Sequence, residues 1–239
     1  MNLLLLTPDD LVTPAQACIH DSRRLRHLHE IHKASPGEEL TVGMTDEGIG
    51  RARLIELEKE RALFEILHLD TPPPPALPVH LLLALPRPRM LARSLENIAT
   101  MGVKRLTLLH TARVEKSYWQ SPELQPERIE AHLRLGLEQA RDTVLPVVDL
   151  QPRFKPFIED QLPAALTGHR ALLAHPGIGE SCPRGLPMDQ PVTLAIGPEG
   201  GFIPYEVERL QTLGFEGIHL GPRILRVETA VVSLLSRLF

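Results

Sequence analysis

The strongest constraint on the fold is a repeated pattern near the C-terminal end of the chain. Two short runs, TLAI at 193–196 and IHL at 218–220, each pass into a Gly-Pro corner, GPEGG at 197–201 and GPRILR at 221–226. Short, largely apolar runs bounded by turn residues are what a parallel sheet covered on both faces produces, so both are expected to be strands. Gly197, Gly200, Gly201 and Gly221 carry no Cβ, which lets the backbone take positive φ and lets a ligand lie against its amide and carbonyl groups. Pro198 and Pro222 stiffen the two turns. A helix is predicted between the corners. Pro204 suits its first turn, Glu206 and Glu208 favour its positive end, Val207, Leu210 and Leu213 make one face, and Gly214 stops it. Strand, loop, helix, strand, loop places both corners at one sheet edge, where open α/β folds bind ligands. A second helix is predicted from Val227. Val227, Ala230, Val231, Leu234, Leu235 and Leu238 form its stripe while Val232 and Phe239 fall off it, so two of its faces are expected to be buried.

The alternation continues upstream. Strands are expected at 79–85, 103–109, near 145 and at 171–174. Helices are expected at 90–101, with Leu91, Leu95 and Ile98 inward and Gly102 at its end, at 127–141 and at 156–166. Strands alternating with helices argue for an α/β fold with a parallel sheet. TPPPPALP at 71–78 cannot be helix or central strand, because successive prolines remove donors and hold the backbone extended. It divides a domain at 1–71 from one at 79–239, with 72–78 as linker. Residues 39–44, 51–57 and 62–69 read as strands and TDEG at 45–48 as a hairpin turn, which makes the first domain β-rich.

Two modest cores are within reach of 239 residues that are 43% hydrophobic. The LLLL run at 3–6 is far too short to span a bilayer and has no signal-peptide flanks, so a soluble cytoplasmic protein is expected. Cys18 and Cys182 lack any C-x-x-C spacing, and neither a P-loop nor a GxGxxG fingerprint is present. His20, His27, His29 and His32 invite a metal reading, but without HExxH or cysteine partners a polar helix over 22–33 fits them better, its His and Arg side chains facing solvent or RNA phosphate.

The pair IGPEGGF at 196–202 and LGPRILRVETA at 220–230 resembles, in content, order and spacing, the ribosomal small-subunit methyltransferase E family. These are 16S rRNA uracil N3-methyltransferases of the SPOUT superfamily that use S-adenosyl-L-methionine. The resemblance implies a trefoil-knotted C-terminal domain, a PUA-like β-barrel at the N-terminus, a cofactor held in bent form, and a homodimer formed through the knotted domain and C-terminal helix. It also implies 16S rRNA or the small ribosomal subunit as partner, with no metal and no membrane. Cofactor contacts are then expected at Leu173, His175, Gly197, Pro198, Gly201, Leu220, Gly221 and Leu225, with 175–177 as a third loop.

For methylation of uracil N3, a cation beside O2 or O4 stabilises the developing anion and a carboxylate accepts the proton. Arg226 is the candidate cation, Glu199 and Glu228 the candidate acids, and Thr229 a hydrogen-bond partner; Glu228 and Thr229 also suit simple capping of the last helix. A net charge of −4 is unlike a nucleic-acid binder, but the charge is uneven: residues 1–71 hold 8 Lys and Arg against 13 Asp and Glu, the remainder 18 against 17. Arg87, Arg89, Arg93 and Arg113 are the candidate phosphate contacts in the second domain, and Arg23, Arg24 and Lys33 in the first. The chain departs from the family pattern at Asn2, Lys33, Glu96, Asn97, Thr100, Ala112 and Ala140. Those departures keep two other readings open, a SPOUT methyltransferase with another RNA target and a non-catalytic RNA-binding or assembly protein.

Overall fold

The structure, a computed structural model, describes residues 2–239. It forms two compact units. One is made by the chain up to Pro75 with Arg134–Leu145, the other by Ala76–Leu133 and Pro146–Phe239.

The first unit holds β1 (Leu4–Leu6), β2 (Leu11–Thr13), β3 (Gln16–Ile19), the short helix α1 (Ser22–Arg26), β4 (Glu39–Met44), β5 (Ile49–Leu57) and β6 (Ala62–Thr71). Its curled sheet runs β1-β4-β5-β6-β3-β2, parallel between β1 and β4 and antiparallel elsewhere, in keeping with the expected N-terminal barrel. Alternate residues of the strands turn inward, so that Val42, Ala52, Leu54, Ala62 and Phe64 share a core with Leu25 and Leu28. The expected turn at 45–48 joins β4 to β5, with Asp46 at φ 62°. The single polar helix expected at 22–33 divides. Asp21 caps α1 by accepting from Arg24 N at 2.8 Å, and a π-helical turn over His27–His32 then ends at Lys33, whose backbone is left-handed.

Residues 134–145, which the sequence assigns to the C-terminal domain, group with this first unit. Asp46 N donates to Thr143 O at 2.9 Å, and Leu145 N donates to Asp46 Oδ1 at 2.9 Å. These bonds engage the segment with the 45–48 turn. The strand expected near 145 accordingly begins at Val147.

The second unit comprises β7 (Leu77–Ala84), α2 (Pro88–Thr100), β8 (Val103–Leu109), the first part of α3 (Pro126–Ala140), β9 (Val147–Gln151), α4 (Phe154–Pro156), α5 (Leu162–Ala165), β10 (Arg170–Ala174), β11 (Glu180–Ser181), β12 (Val192–Ile196), α6 (Pro204–Thr212), β13 (Glu216–His219) and α7 (Val227–Leu238). All its ladders are parallel, in the order β11-β13-β10-β12-β7-β8-β9. Every residue of β12 is buried, as a strand covered on both faces requires. Phe157, Ile158, Leu162, Phe202, Leu210 and Phe215 pack with Leu82, Leu173 and Ala195 of the sheet, while α2 packs against α7. From β10 the chain runs to β11 at the outer edge, crosses back past β10 to β12, and then returns past β10 to β13. That reversal is a topological switch point, where open α/β sheets form their ligand crevice.

Candidate active site

Strand register builds the site. Ala174 of β10 lies opposite Ile196 of β12 and Ile218 of β13, so the three strands reach the same rim of the sheet together. Their following loops, 175–177, 197–201 and 220–225, surround one cleft of about 680 Å³, including the part open to solvent. Ile196, Ile218, Leu220, Leu225 and Leu234 give it apolar walls. Glycine corners and the polar residues His175, Glu199, His219 and Arg223 make up much of the remainder. Gly201 N donates to Pro198 O at 2.7 Å in one corner, and Gly221 N donates to His219 Nδ1 at 3.1 Å in the other. Gly221 stands at φ +106°, a conformation that an L side chain rarely adopts. Gly197 has no positive φ; a Cβ there would crowd the Phe202 ring at 3.0 Å, so this glycine serves close packing.

Of the predicted cofactor residues, His175, Gly197, Pro198, Gly201, Leu220, Gly221 and Leu225 all line this cleft. Leu173 does not. It points into the core at 0% exposure, and its peptide is flanked by β12 and β13, so it lies beneath the cleft rather than in its wall.

The charged groups divide. Glu199 lines the cleft with its carboxylate 3.7 Å from Arg87 Nε. Arg87 immediately precedes α2, and Arg89 and Arg93 are exposed one turn apart on that helix. Because α2 follows β7, its N-terminus lies at the same sheet rim as the cleft. Arg113 donates from Nη1 to Gly200 O. Arg226 is exposed and caps the start of α7 with extended backbone, and Glu228 and Thr229 occupy the first turn of that helix. Lys104 and Arg105 open β8 and so belong to the opposite rim.

In the first unit, Arg24 is a correction to the expected phosphate contacts. Its side chain is 12% exposed, and it donates to both Asp10 oxygens at 2.8 Å and to Leu5 O at 3.1 Å. Burial would raise the Asp10 carboxyl, but the bond and charge of Arg24 outweigh it and hold that group below the usual carboxylate range. Arg23 is likewise engaged, donating to both Glu138 oxygens at 2.8 and 3.1 Å. Lys33 is exposed. The neighbouring histidines meet separate partners: His29 Nε2 lies 2.9 Å from Glu58 O, and His32 Nε2 3.0 Å from Glu38 Oε1.

Residues 73–239 match the family described as RNA methyltransferase domain. The chain belongs to this family. Among the relatives of this RNA methyltransferase family member, the Ribosomal RNA small subunit methyltransferase E of Treponema pallidum (strain Nichols) is 27% identical over 242 residues, spanning 98% of this chain and 88% of that protein. The protein of the same name from Mycobacterium bovis (strain ATCC BAA-935 / AF2122/97) is 25% identical over 241 residues, spanning 98% and 90%. A crystal structure of a Ribosomal RNA small subunit methyltransferase E from Neisseria gonorrhoeae, bound to S-adenosyl methionine, superposes with a TM-score of 0.76 at 22% identity, covering 98% of this chain and 95% of that one. The fold is thus shared over nearly the whole chain.

Within this RNA methyltransferase fold, sequence reasoning missed four contributors to the rim. His219, Arg223 and Ile224 line the cleft, and the buried carboxylate of Glu206 bonds two loops behind it. The first three adjoin the second Gly-Pro corner and could have been included with it. Glu206 carries no such signal, because its distant partner is a backbone amide.

Proposed function

We propose that the chain transfers a methyl group from S-adenosyl-L-methionine to N3 of a uridine in 16S rRNA of the small ribosomal subunit. The observation that carries this reading is the common rim of Ala174, Ile196 and Ile218, which sends three loops into one cleft walled by backbone and aliphatic side chains. Its volume suits a nucleoside-sized ligand. The aliphatic walls fit an adenine ring, and the backbone groups of 197–201 and 220–225 fit its polar edge. When bound, the cofactor supplies an electrophilic methyl on a sulfonium.

The chain's own work is then alignment and charge. A rigid cleft fixes the approach of the reacting groups, which can supply much of the rate in such transfers. Arg226, exposed beside the cleft-lining Leu225, stabilises the uracil anion at O2 or O4. Glu199 or Glu228 takes the N3 proton and Thr229 orients the base. Arg87, Arg89 and Arg93 grip phosphates flanking the extruded nucleotide, and Lys33 offers a further cation on the first unit.

The reading includes a threaded backbone. Segment 175–191 bonds both the end of β13, through Cys182 N to His219 O at 2.9 Å, and the end of α7, through Gly185 N to Arg237 O at 3.2 Å and Leu186 N to Leu238 O at 2.6 Å. Such a loop around the C-terminal segment is what a trefoil crossing needs. It also includes a homodimer through the knotted domain and α7, as the family resemblance implies. The place of action is the cytoplasm, with the ribosome. Among the described residues no helix is long and apolar enough to cross a membrane.

Calorimetry with S-adenosyl-L-methionine should show saturable binding, and no heat at millimolar ligand would end the enzyme reading. Mapping of rRNA from a deletion strain should show loss of a single N3-methyluracil. Loss of a different modification would redirect the substrate assignment.

A further inference from the structure

The sequence presents Glu206 only as an acid suited to a helix N-terminus. In the structure its side chain is 2% exposed, and its two oxygens serve two different loops. Ile203 N, just ahead of α6, donates to Oε2 at 3.0 Å, and Ala112 N, three residues past β8, donates to Oε1 at 2.6 Å. β7 separates β8 from β12 in the sheet, so the ladders alone do not join these loops. The next residue adds a second tie. Arg113 donates to Gly200 O and lies so close that a Cβ on Gly200 would sit 2.9 Å from its Cδ.

Loop 197–203 is therefore held from behind at Gly200 and Ile203, while Gly197, Pro198, Glu199 and Gly201 face the cleft. A carboxyl side chain suits this junction, because each of its two oxygens accepts one of the two amides. A glutamine would turn an NH₂ group toward one of the two amides and leave a buried donor unmet.

We infer that Glu206 is a positioning residue for the proposed methyl transfer: through Ala112 and Ile203 it holds the glycine loop in its cofactor-binding shape without itself lining the cleft. The inference rests on the reading of that cleft as the S-adenosyl-L-methionine site. Its effect should appear in cofactor affinity and in the mobility of both loops together.

The test compares wild type, Glu206→Gln, Glu206→Asp and Ile98→Val, the last a buried change on α2 that serves as a stability control. Amide hydrogen exchange reads loops 110–113 and 197–203, calorimetry reads S-adenosyl-L-methionine affinity, and turnover is measured at saturating cofactor. Glu206→Gln should speed exchange in both loops and weaken the cofactor about tenfold or more, the usual consequence of one unmet buried donor, with a smaller change in kcat. Glu206→Asp keeps the carboxyl one methylene short and should give a smaller loss of the same kind. Ile98→Val should lower Tm while leaving affinity and loop exchange near wild type. Unchanged exchange in either loop, unchanged affinity, or an equal affinity loss in Ile98→Val at matched Tm would overturn the inference. A wild-type protein that binds no S-adenosyl-L-methionine would defeat the cofactor reading, and with it the positioning role of Glu206 in methyl transfer. The exchange data would still decide whether the two loops are tied.

Discussion

Acid should weaken the second unit through one buried imidazole. His80 on β7 is 3% exposed; its Nε2 lies 2.8 Å from Thr107 Oγ1, and its Nδ1 has no protein partner among the described residues. Burial first, then the charges of Arg105 and His169, push its pKa down from 6.5 to about 4. The unfolded chain thus takes up a proton near 6.5, where the native protein still refuses it. Between those values the unfolded state holds more protons, so stability present above the unfolded pKa is lost as pH falls toward the folded one. With those two values the loss between pH 7 and pH 5 is about 2 kcal/mol, and it approaches about 3 kcal/mol below pH 4.

Urea unfolding followed through Trp119 measures this directly, since the chain has a single tryptophan and it lies in the unit that contains His80. Wild type should lose about 2 kcal/mol more than His80→Gln over that pH range, because the other titrating groups are common to both and cancel. Parallel pH profiles for the two proteins would refute the reasoning. A wild type that gained stability in acid relative to the variant would mean that the imidazole is charged and paired in the native state.

Three further outcomes follow from particular contacts. Arg24→Ala leaves the Asp10 carboxylate, whose side chain is 8% exposed, without its cation; it should cost the first unit about 3 to 5 kcal/mol in urea unfolding, and a cost below about 1 kcal/mol would place the pair among weak surface bridges. Gly221→Ala forces a Cβ onto φ +106°, a strain of about 1 to 2 kcal/mol. That strain should appear in urea unfolding as an equal loss of stability in the second unit, and unchanged stability would show that the corner relaxes at no cost. Arg226→Ala should lower kcat far more than it lowers cofactor affinity, because its proposed partner is the substrate anion; equal losses would make Arg226 structural.

What could be read from the sequence was governed by the range of the interactions concerned. β12 and α6 appear nearly where the apolar run 193–196 and the Pro204–Gly214 bracket put them, because strand burial, a proline in the first turn and a stopping glycine are local causes. The two corners could be placed on one rim because every strand–helix–strand unit of a parallel sheet returns to the same edge. Long-range partners left no such trace. Arg24 on a polar helix looks like a free cation until Asp10 is folded against it, and residues 142–145 look like a strand approach until the 45–48 turn engages their backbone. Leu173 lies below the cleft, which escapes the sequence for a related reason. Sequence showed that it lay near the end of a cleft-forming strand but not that Ala174, one residue later, was the rim.

The departures from the family pattern bear on function through where they fall. Glu96 is occupied with His132, whose Nδ1 lies 3.2 Å away while its Nε2 lies 2.9 Å from Glu123, and Thr100 bonds back to Glu96 O within α2. Ala112 contributes only its backbone amide, to Glu206, so the side chain lost there is one this junction does not use. None of these positions lines the cleft, which is lined by the glycine corners, aliphatic side chains, His175, Glu199, His219 and Arg223. Such a pocket constrains side-chain identity at its glycine corners, its aliphatic walls and those four polar positions. Substitution elsewhere on the unit can therefore accumulate without altering the groups that would face a cofactor.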